Sequence, residues 1–284
     1  MSPRPPQRRE ADHAAWTAAP QRSGWLSTRH ALPVELAMVV GVYVAYETTR
    51  GLAGGGAHEA LRHAHDVVSL ERSLHIFVEE SVQHAALAVP GLIGTLDLSY
   101  LALHLSLTGA LLLWLHRRRP DAYPFVRTTV LLATALAVVG YVLFPTAPPR
   151  LSGLGIADTI SRGPVDLNKG LVSSLYNPFA AVPSMHIGYA LIVGVSLVRY
   201  APNLGARVAG LAYPPLVLFI IVATGNHFLV DAAAGAAVTG IALLAARLLV
   251  GPWPTTGAQR PQPAIWSSPS THGATDPAAA RRAA

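Results

Sequence analysis

The sequence predicts an all-α membrane protein, a polytopic helical bundle of about six transmembrane helices with an extracytoplasmic amphipathic cap. Three observations predict this fold. Of the 284 residues, 51% are hydrophobic and only 13% are charged, whereas a soluble domain carries about 25% charged residues. Six apolar runs approach the length of about 20 residues that a membrane span needs. The basic residues also fall unevenly between the two sides that these runs define.

The apolar runs divide the chain into a membrane domain and two tails. Residues 31–251 form the predicted membrane domain, and the tails at 1–30 and 252–284 have a composition typical of disordered segments. The fourth and fifth runs are short. The six predicted spans are about Leu32–Thr48, Leu92–Leu115, Phe125–Phe144, Pro183–Val198, Val208–Ala223 and Phe228–Val250.

The stretch from His58 to Ala88 alternates apolar and charged residues, which is typical of one or two amphipathic helices that lie on a membrane or cap a bundle. A plain cap and a role in substrate entry both remain open. His58, His63 and His65 suggest a metal site, but no thiolate ligand accompanies them. An exposed cap helix accounts for them better.

The charge distribution predicts the orientation in the membrane. Fifteen of the 21 Lys and Arg residues lie in the tails and in the turns that would share one side, so both termini are predicted to be cytoplasmic and the long loops extracytoplasmic. The basic charge fits anionic lipid, because no basic face interleaved with aromatic residues suggests a nucleic-acid partner. The chain has no cysteine, which excludes disulfides, thiolate metal sites and cysteine nucleophiles.

Three polar segments are predicted to meet at the extracytoplasmic face. They read FPTAPPR at Phe144–Arg150, VPSMH at Val182–His186 and GNHFLVD at Gly225–Asp231. The first follows the third span, the second begins the fourth and the third begins the sixth. Because all three ends lie on one side in a six-span topology, segments distant in sequence converge there.

His227 and Asp231 stand four residues apart, a spacing that places two side chains on one face of a helix. A carboxylate that accepts the imidazole N–H fixes the tautomer and makes the other ring nitrogen more basic, as a histidine nucleophile requires. A simpler interpretation is that Asp231 pairs with another polar group and that His227 is merely interfacial.

His186, Ser184 and Arg150 complete the predicted site. A helix N-terminus favours anions, and Ser184 can cap the helix or donate to a phosphate oxygen. His186 is placed to act as a general acid, and the planar guanidinium of Arg150 suits phosphate. Taken singly, His186 is equally an interfacial histidine and Arg150 a surface residue that helps to set the topology.

Together, the Pro-Ser-x-His motif and the His-x3-Asp motif two spans later resemble the core of the type 2 phosphatidic acid phosphatase superfamily. The forms at Phe144–Arg150 and Gly225–His227 resemble its branch related to fungal inositol phosphorylceramide synthase. The resemblance covers about Leu32–Val250. Two weaker similarities to that branch are Glu71-Arg72 in the cap and Tyr100-x3-His104 in the second span.

This resemblance implies a role for each matching residue. His227 would be the nucleophile that forms a phosphohistidine, and Asp231 would orient it. His186 would protonate the leaving group, while Arg150 and Ser184 would bind the phosphate. The family uses no metal, and no cofactor is expected here.

The sequence also departs from the family pattern. Ile220 and Ile221 stand where the superfamily usually has Ser-Arg, and Met185 replaces the Gly of Pro-Ser-Gly-His. Phosphate binding would then rest on Arg150 and on helpers, for which Lys169 and Asn226 are candidates.

Two ionisable residues within the second span, Asp97 and His104, lie seven positions apart on one helical face. Ionisable groups inside a membrane often mark functional sites. They are predicted either to line the lipid pocket or to form a structural hydrogen bond.

The sequence therefore predicts a multi-pass cell-membrane phosphatase that acts on a phospholipid or polyprenyl phosphate or pyrophosphate through a phosphohistidine. The site would face the extracytoplasmic side. A lipid phosphotransferase that moves a headgroup such as inositol phosphate is the alternative with the same first step. A membrane transporter and a catalytically inactive scaffold are the alternatives of other classes. The predicted partners are a lipid phosphate and the bilayer, and the sequence does not indicate an oligomeric state.

Overall fold

The computed structural model describes Gly41, residues 56–162 and residues 177–255. The predicted first span apart from Gly41, both predicted tails apart from residues 252–255, and Lys169 lie outside the described residues. Within residues 56–162 and 177–255 the chain forms seven α-helices and two 3-10 turns, at Pro149–Leu151 and Ile160–Arg162. The helices are α1 Gly56–Ser73, α2 Glu79–Leu87, α3 Leu92–Arg118, α4 Tyr123–Leu143, α5 Met185–Tyr200, α6 Leu204–Ala223 and α7 Leu229–Val250.

Helices α3, α4, α6 and α7 are long and apolar enough to cross a membrane, with 27, 21, 20 and 22 residues. They correspond to the second, third, fifth and sixth predicted spans. Helix α5 replaces the fourth predicted span but has only 16 residues, or about 24 Å at 1.5 Å per residue, which is less than the hydrocarbon core of about 30 Å. Four helices of spanning length among the described residues indicate a membrane protein, while the predicted count of six is not established.

Small residues allow α5 to pack closely between its neighbours. A Cβ atom on Gly194 would lie 2.5 Å from the carbonyl oxygen of Gly210 on α6. A Cβ atom on Gly235 of α7 would collide with the carbonyl oxygen of Ser184, the residue at the start of α5. Such close backbone approaches are typical of helix contacts in membranes. These contacts fix the position of α5 along α6 and α7, the two helices that flank the third polar segment.

The turn after α3 and the segment after α7 lie at the same end of the bundle. The Arg119 guanidinium donates to the Asp121 carboxylate at 2.8 Å and to the Thr255 carbonyl at 3.4 Å. The Arg199 guanidinium, at the end of α5, donates to the Pro254 carbonyl at 2.9 Å. The predicted cytoplasmic elements among the described residues therefore share one end, and the three polar segments lie at the other.

The stretch predicted to be amphipathic forms α1 and α2. The buried face of α1 packs Ala60, Ala64, Val67 and Val68 against Ala147 and Phe228. This contact places the cap directly over the residue that follows His227.

His63 belongs to the packing of this cap. Its Nδ1 lies 2.7 Å from the Pro145 carbonyl oxygen and its ring stacks on Phe144, whereas His58 and His65 are exposed. Among the described residues, no group of three or more His, Asp and Glu side chains is arranged to hold a metal ion.

Candidate active site

Backbone hydrogen bonds join the three polar segments to one another. The N–H of Ala181, the residue just before the second segment, donates to the Thr146 carbonyl at 3.3 Å, which links the first segment to the beginning of the second. The Ser184 N–H donates to the Asp231 carbonyl at 3.0 Å, and the Arg150 N–H donates to the Gly225 carbonyl at 2.9 Å. Each segment is thus bonded to both others, and the convergence predicted from the topology is present.

The central feature of this junction is a pair of facing imidazoles. His227 lies in the turn between α6 and α7, and His186 lies in the first turn of α5. The distance between Nε2 of His227 and Nδ1 of His186 is 3.3 Å. Both side chains are shielded, since His227 is buried and the ring of His186 stacks on Tyr100 with 4.2 Å between ring centroids.

Asp231 lies on the opposite side of His227. Its Oδ2 atom is 3.3 Å from Nδ1 of His227, and the Ala181 carbonyl oxygen is 3.0 Å from the same nitrogen. Because both neighbours of Nδ1 are hydrogen-bond acceptors, we assign the ring proton to Nδ1. Nε2 then carries the lone pair and presents it towards His186.

The local structure that produces this contact differs from the one expected. The four-residue spacing suggested a shared helical face, but His227 precedes Phe228, the N-cap of α7. Asp231 instead folds back as a capping residue, and its Oδ2 atom accepts the Phe228 N–H at 2.9 Å. One carboxylate thus caps the helix and contacts the imidazole that lies just before it.

Ser184 is the N-cap residue of α5, but its side chain makes no capping hydrogen bond. Its hydroxyl oxygen is fully buried and has no hydrogen-bond partner among the described residues. A buried hydroxyl without a partner is costly. The group is therefore available to donate to a bound anion, one of the two roles expected for it.

Arg150 is held by two side chains in addition to its backbone bond. Its Nε donates to Oδ1 of Asn226 at 2.9 Å, and its NH1 donates to Oδ1 of Asp158 at 3.0 Å. Asn226 in turn donates to the Thr224 hydroxyl at 2.8 Å. Asn226, which directly precedes His227, thus connects the Arg150 guanidinium to Thr224 at the end of α6.

His104 and Asp97 have different surroundings although they share a helix. The ring of His104 lies 4.0 Å from that of His186, centroid to centroid, and its Nδ1 is 3.2 Å from the Tyr100 carbonyl. Oδ1 of Asp97 accepts a hydrogen bond from the Thr159 hydroxyl at 2.9 Å. His104 therefore lines the imidazole pair, and Asp97 ties α3 to the loop that carries Asp158.

The sequence did not indicate the role of Asp158. This residue accepts a hydrogen bond from Arg150, but it stands in a loop with no local motif. Ile220 and Ile221, which replace the expected Ser-Arg, are buried at the end of α6. The Ile221 carbonyl accepts the N–H groups of Asn226 and His227 at 2.9 and 3.2 Å. These positions shape the turn that carries His227.

A family model described as the PAP2 superfamily matches residues 65–245, which include the second half of α1, every polar segment of the site and most of α7. The chain belongs to the PAP2 superfamily. This match does not distinguish the branch related to inositol phosphorylceramide synthase. No curated protein and no solved structure gives a significant match to the chain. Membership in the PAP2 superfamily favours a phosphatase or phosphotransferase.

Proposed function

We propose that this PAP2 superfamily protein is an integral membrane phosphatase that hydrolyses a phospholipid or polyprenyl phosphate or pyrophosphate through a phosphohistidine on His227. The observation that carries the proposal is the arrangement around that ring. Its Nδ1 faces Asp231 at 3.3 Å, and its Nε2 faces His186 at 3.3 Å. An oriented nucleophile with an acid–base group beside it is the arrangement that covalent catalysis needs.

In the first step, the lone pair on Nε2 of His227 attacks phosphorus and forms a P–N bond. The bond from phosphorus to the leaving oxygen breaks, and His186 gives that oxygen a proton. Because 3.3 Å between the two nitrogens leaves no room for a phosphoryl group, substrate entry separates the two rings. Asp231 stabilises the positive charge that develops on the His227 imidazole.

In the second step, water attacks the phosphohistidine while His186 accepts a proton from it. The P–N bond breaks, and inorganic phosphate leaves with His227 restored.

The phosphoryl oxygens are bound by Arg150 and by the Ser184 hydroxyl. Asn226 and Asp158 hold the Arg150 guanidinium in place. Charge-assisted hydrogen bonds from a fixed guanidinium fork are well suited to an oxyanion. Lys169 is a further candidate for phosphate binding on the basis of the sequence.

Transfer to an alcohol is the second candidate function. The same phosphohistidine would then react with an acceptor such as inositol instead of water. The sequence forms at Phe144–Arg150 and Gly225–His227 favour this candidate because they resemble the inositol phosphorylceramide synthase branch. We favour hydrolysis because water requires no acceptor pocket. Both candidates place the reaction at the extracytoplasmic face of the cell membrane, with both termini cytoplasmic.

The test is a panel of lipid phosphates in mixed micelles with the full-length protein, measured with and without inositol. We expect wild type to release inorganic phosphate from at least one lipid and His227→Ala to release none. His65→Ala, which removes an exposed imidazole on α1, is the matched control and retains turnover. Formation of an inositol phosphate product at the expense of free phosphate would assign transfer. Equal turnover in wild type and His227→Ala would overturn the mechanism.

A further inference from the structure

The cap contributes two buried carboxyl groups to the N-terminus of α7. Glu71, near the end of α1, and Glu79, the first residue of α2, are both completely inaccessible to solvent. Fully buried glutamates are rare unless they have partners. Neither belongs to the set that contacts the imidazole pair, so their burial calls for a separate explanation.

Their partners are backbone N–H groups of α7. Oε1 of Glu79 accepts the Leu229 N–H at 3.0 Å, and Oε1 of Glu71 accepts the Val230 N–H at 2.7 Å. Asp231 accepts the preceding N–H, that of Phe228, at 2.9 Å. The first N–H groups of a helix have no partner within the helix and favour negative charge. Three consecutive N–H groups directly after His227 are therefore held by carboxyl groups, two of which come from the cap.

The same cap also contacts the loop that holds the Arg150 side chain in place. The Gln83 side chain on α2 donates to the Ala157 carbonyl at 3.0 Å and accepts the Ala157 N–H at 2.6 Å. Ala157 precedes Asp158, which bonds to Arg150 at 3.0 Å. The cap helices α1 and α2 thus contact both the first turn of α7, next to His227, and the loop whose Asp158 accepts a hydrogen bond from Arg150.

Glu71 differs from an ordinary ion-paired glutamate in its charge. Burial and, to a lesser degree, the nearby carboxyl groups of Glu79 on α2 and Asp231 on α7 raise the pKa of Glu71 to about 8, against the lowering effect of the Val230 N–H. The protonated form of Glu71 is therefore favoured at neutral pH. Loss of this proton would place another negative charge among these carboxylates within a buried space.

We propose that Glu71 and Glu79 are positioning residues, which hold the first turn of α7 so that His227 faces His186. This proposal rests on the proposed function of that pair. It assigns the amphipathic cap a role in the chemistry, through the backbone of Leu229 and Val230. Neither glutamate is expected to touch substrate, so the effect falls on turnover and not on affinity.

The first arm of the test measures turnover with the full-length protein and a lipid phosphate that wild type hydrolyses. Glu71→Ala and Glu79→Ala are expected to lower kcat by about 10- to 100-fold with KM within about twofold, because a small displacement of a reacting group has effects of this size. Glu80→Ala removes the exposed glutamate next to Glu79 and is the matched control. Unchanged kcat in both alanine variants would overturn the proposal.

The second arm separates positioning from general stability. Gln at position 71 keeps an oxygen for the Val230 N–H and has hydrogens on its nitrogen, as the protonated carboxyl has on its oxygen. Glu71→Gln is therefore expected to restore most of the turnover that Glu71→Ala loses. Wild-type turnover should fall more steeply above a pH of about 8 than that of Glu71→Gln, because Glu71 ionises there whereas the general acid affects both proteins alike. Turnover of Glu71→Gln as low as that of Glu71→Ala, or identical pH profiles for wild type and Glu71→Gln, would contradict the proposal.

The third arm does not depend on activity. Deuterium uptake is measured in peptides that cover residues 225–235 and, as a folding control, in peptides from α4. Glu71→Ala and Glu79→Ala should accelerate exchange in the first turn of α7 and leave α4 unchanged. If wild type releases phosphate from no lipid, the proposed function has failed and this arm still tests the cap contact. Unchanged exchange at residues 225–235 would refute the contact itself.

Discussion

The carbonyl oxygen of Ser184 lies directly against the α-carbon of Gly235, where it leaves no space for a side chain. This contact joins the start of α5, which carries His186, to the second turn of α7, one turn after Asp231. The Ser184 carbonyl also accepts the Gly188 N–H of α5 at 3.2 Å. The separation of the two imidazoles therefore depends on a residue that touches neither ring.

A methyl group at position 235 should push α5 away from α7. We expect Gly235→Ala to lower kcat at least tenfold, with an overpacking cost of about 1–3 kcal/mol partly offset by the better helix propensity of alanine, about 1 kcal/mol. Turnover and Tm in detergent provide the measurement. Gly240→Ala on the same helix is the control, because a Cβ there meets nothing within 4 Å. Equal turnover in the two variants would contradict this account.

The carboxylate of Asp231 has two roles, because it caps α7 and also orients the His227 ring. Substitution by asparagine should remove only the second role. Asp231→Asn can still accept the Phe228 N–H, but it no longer stabilises a positive His227 ring or fixes its tautomer. We expect kcat to fall roughly a thousandfold or more, as judged from the loss of about 10⁴ when the carboxylate of a serine-protease triad becomes an amide. Tm should change little. A variant that keeps wild-type kcat would show that Asp231 only caps the helix.

Arg150 should not be replaceable by lysine, because one ammonium group cannot reach Asn226 and Asp158 and also bind phosphate. We expect Arg150→Lys to lower kcat/KM about 10- to 100-fold, the value of one or two charge-assisted hydrogen bonds. The control is Arg62→Lys, which changes an exposed guanidinium paired with Asp66 on α1. An Arg150→Lys enzyme with wild-type kcat/KM would remove Arg150 from the phosphate site.

The topology can be tested without any substrate. A reporter fused after Arg119 should be cytoplasmic, because the turn between α3 and α4 shares one end of the bundle with the segment after α7. A reporter fused after Ser152, in the loop after α4, should be extracytoplasmic. Both reporters on one side would contradict the arrangement of α4, and the reverse result would place the site at the cytoplasmic face.

Much of the helical framework could be predicted from hydropathy. The predicted second span, Leu92–Leu115, differs from α3 by three residues at its end, and the sixth, Phe228–Val250, begins one residue before α7. The fourth, Pro183–Val198, begins two residues too early, because Ser184 is the extended N-cap residue and α5 begins at Met185. Apolar composition indicates which residues favour lipid, but hydrogen bonds at the ends decide where a helix begins.

The motif residues could be named from the sequence, but their partners could not. His227 and Asp231 stand four residues apart, and this spacing is a local signal. The contacts of Glu71 and Glu79 with α7 join residues about 150 positions apart. No local pattern encodes them, since a glutamate at the end of an amphipathic helix has the same sequence signature as an exposed one such as Glu80.

The most direct test of the central claim is to trap the phosphoenzyme. Full-length protein is incubated with a lipid carrying ³²P-phosphate and quenched in alkaline detergent, and the labelled peptide is identified. The account predicts an acid-labile, base-stable label on His227 that is absent from His227→Ala. A label on any other residue, or phosphate release by His227→Ala at the wild-type rate, would contradict it.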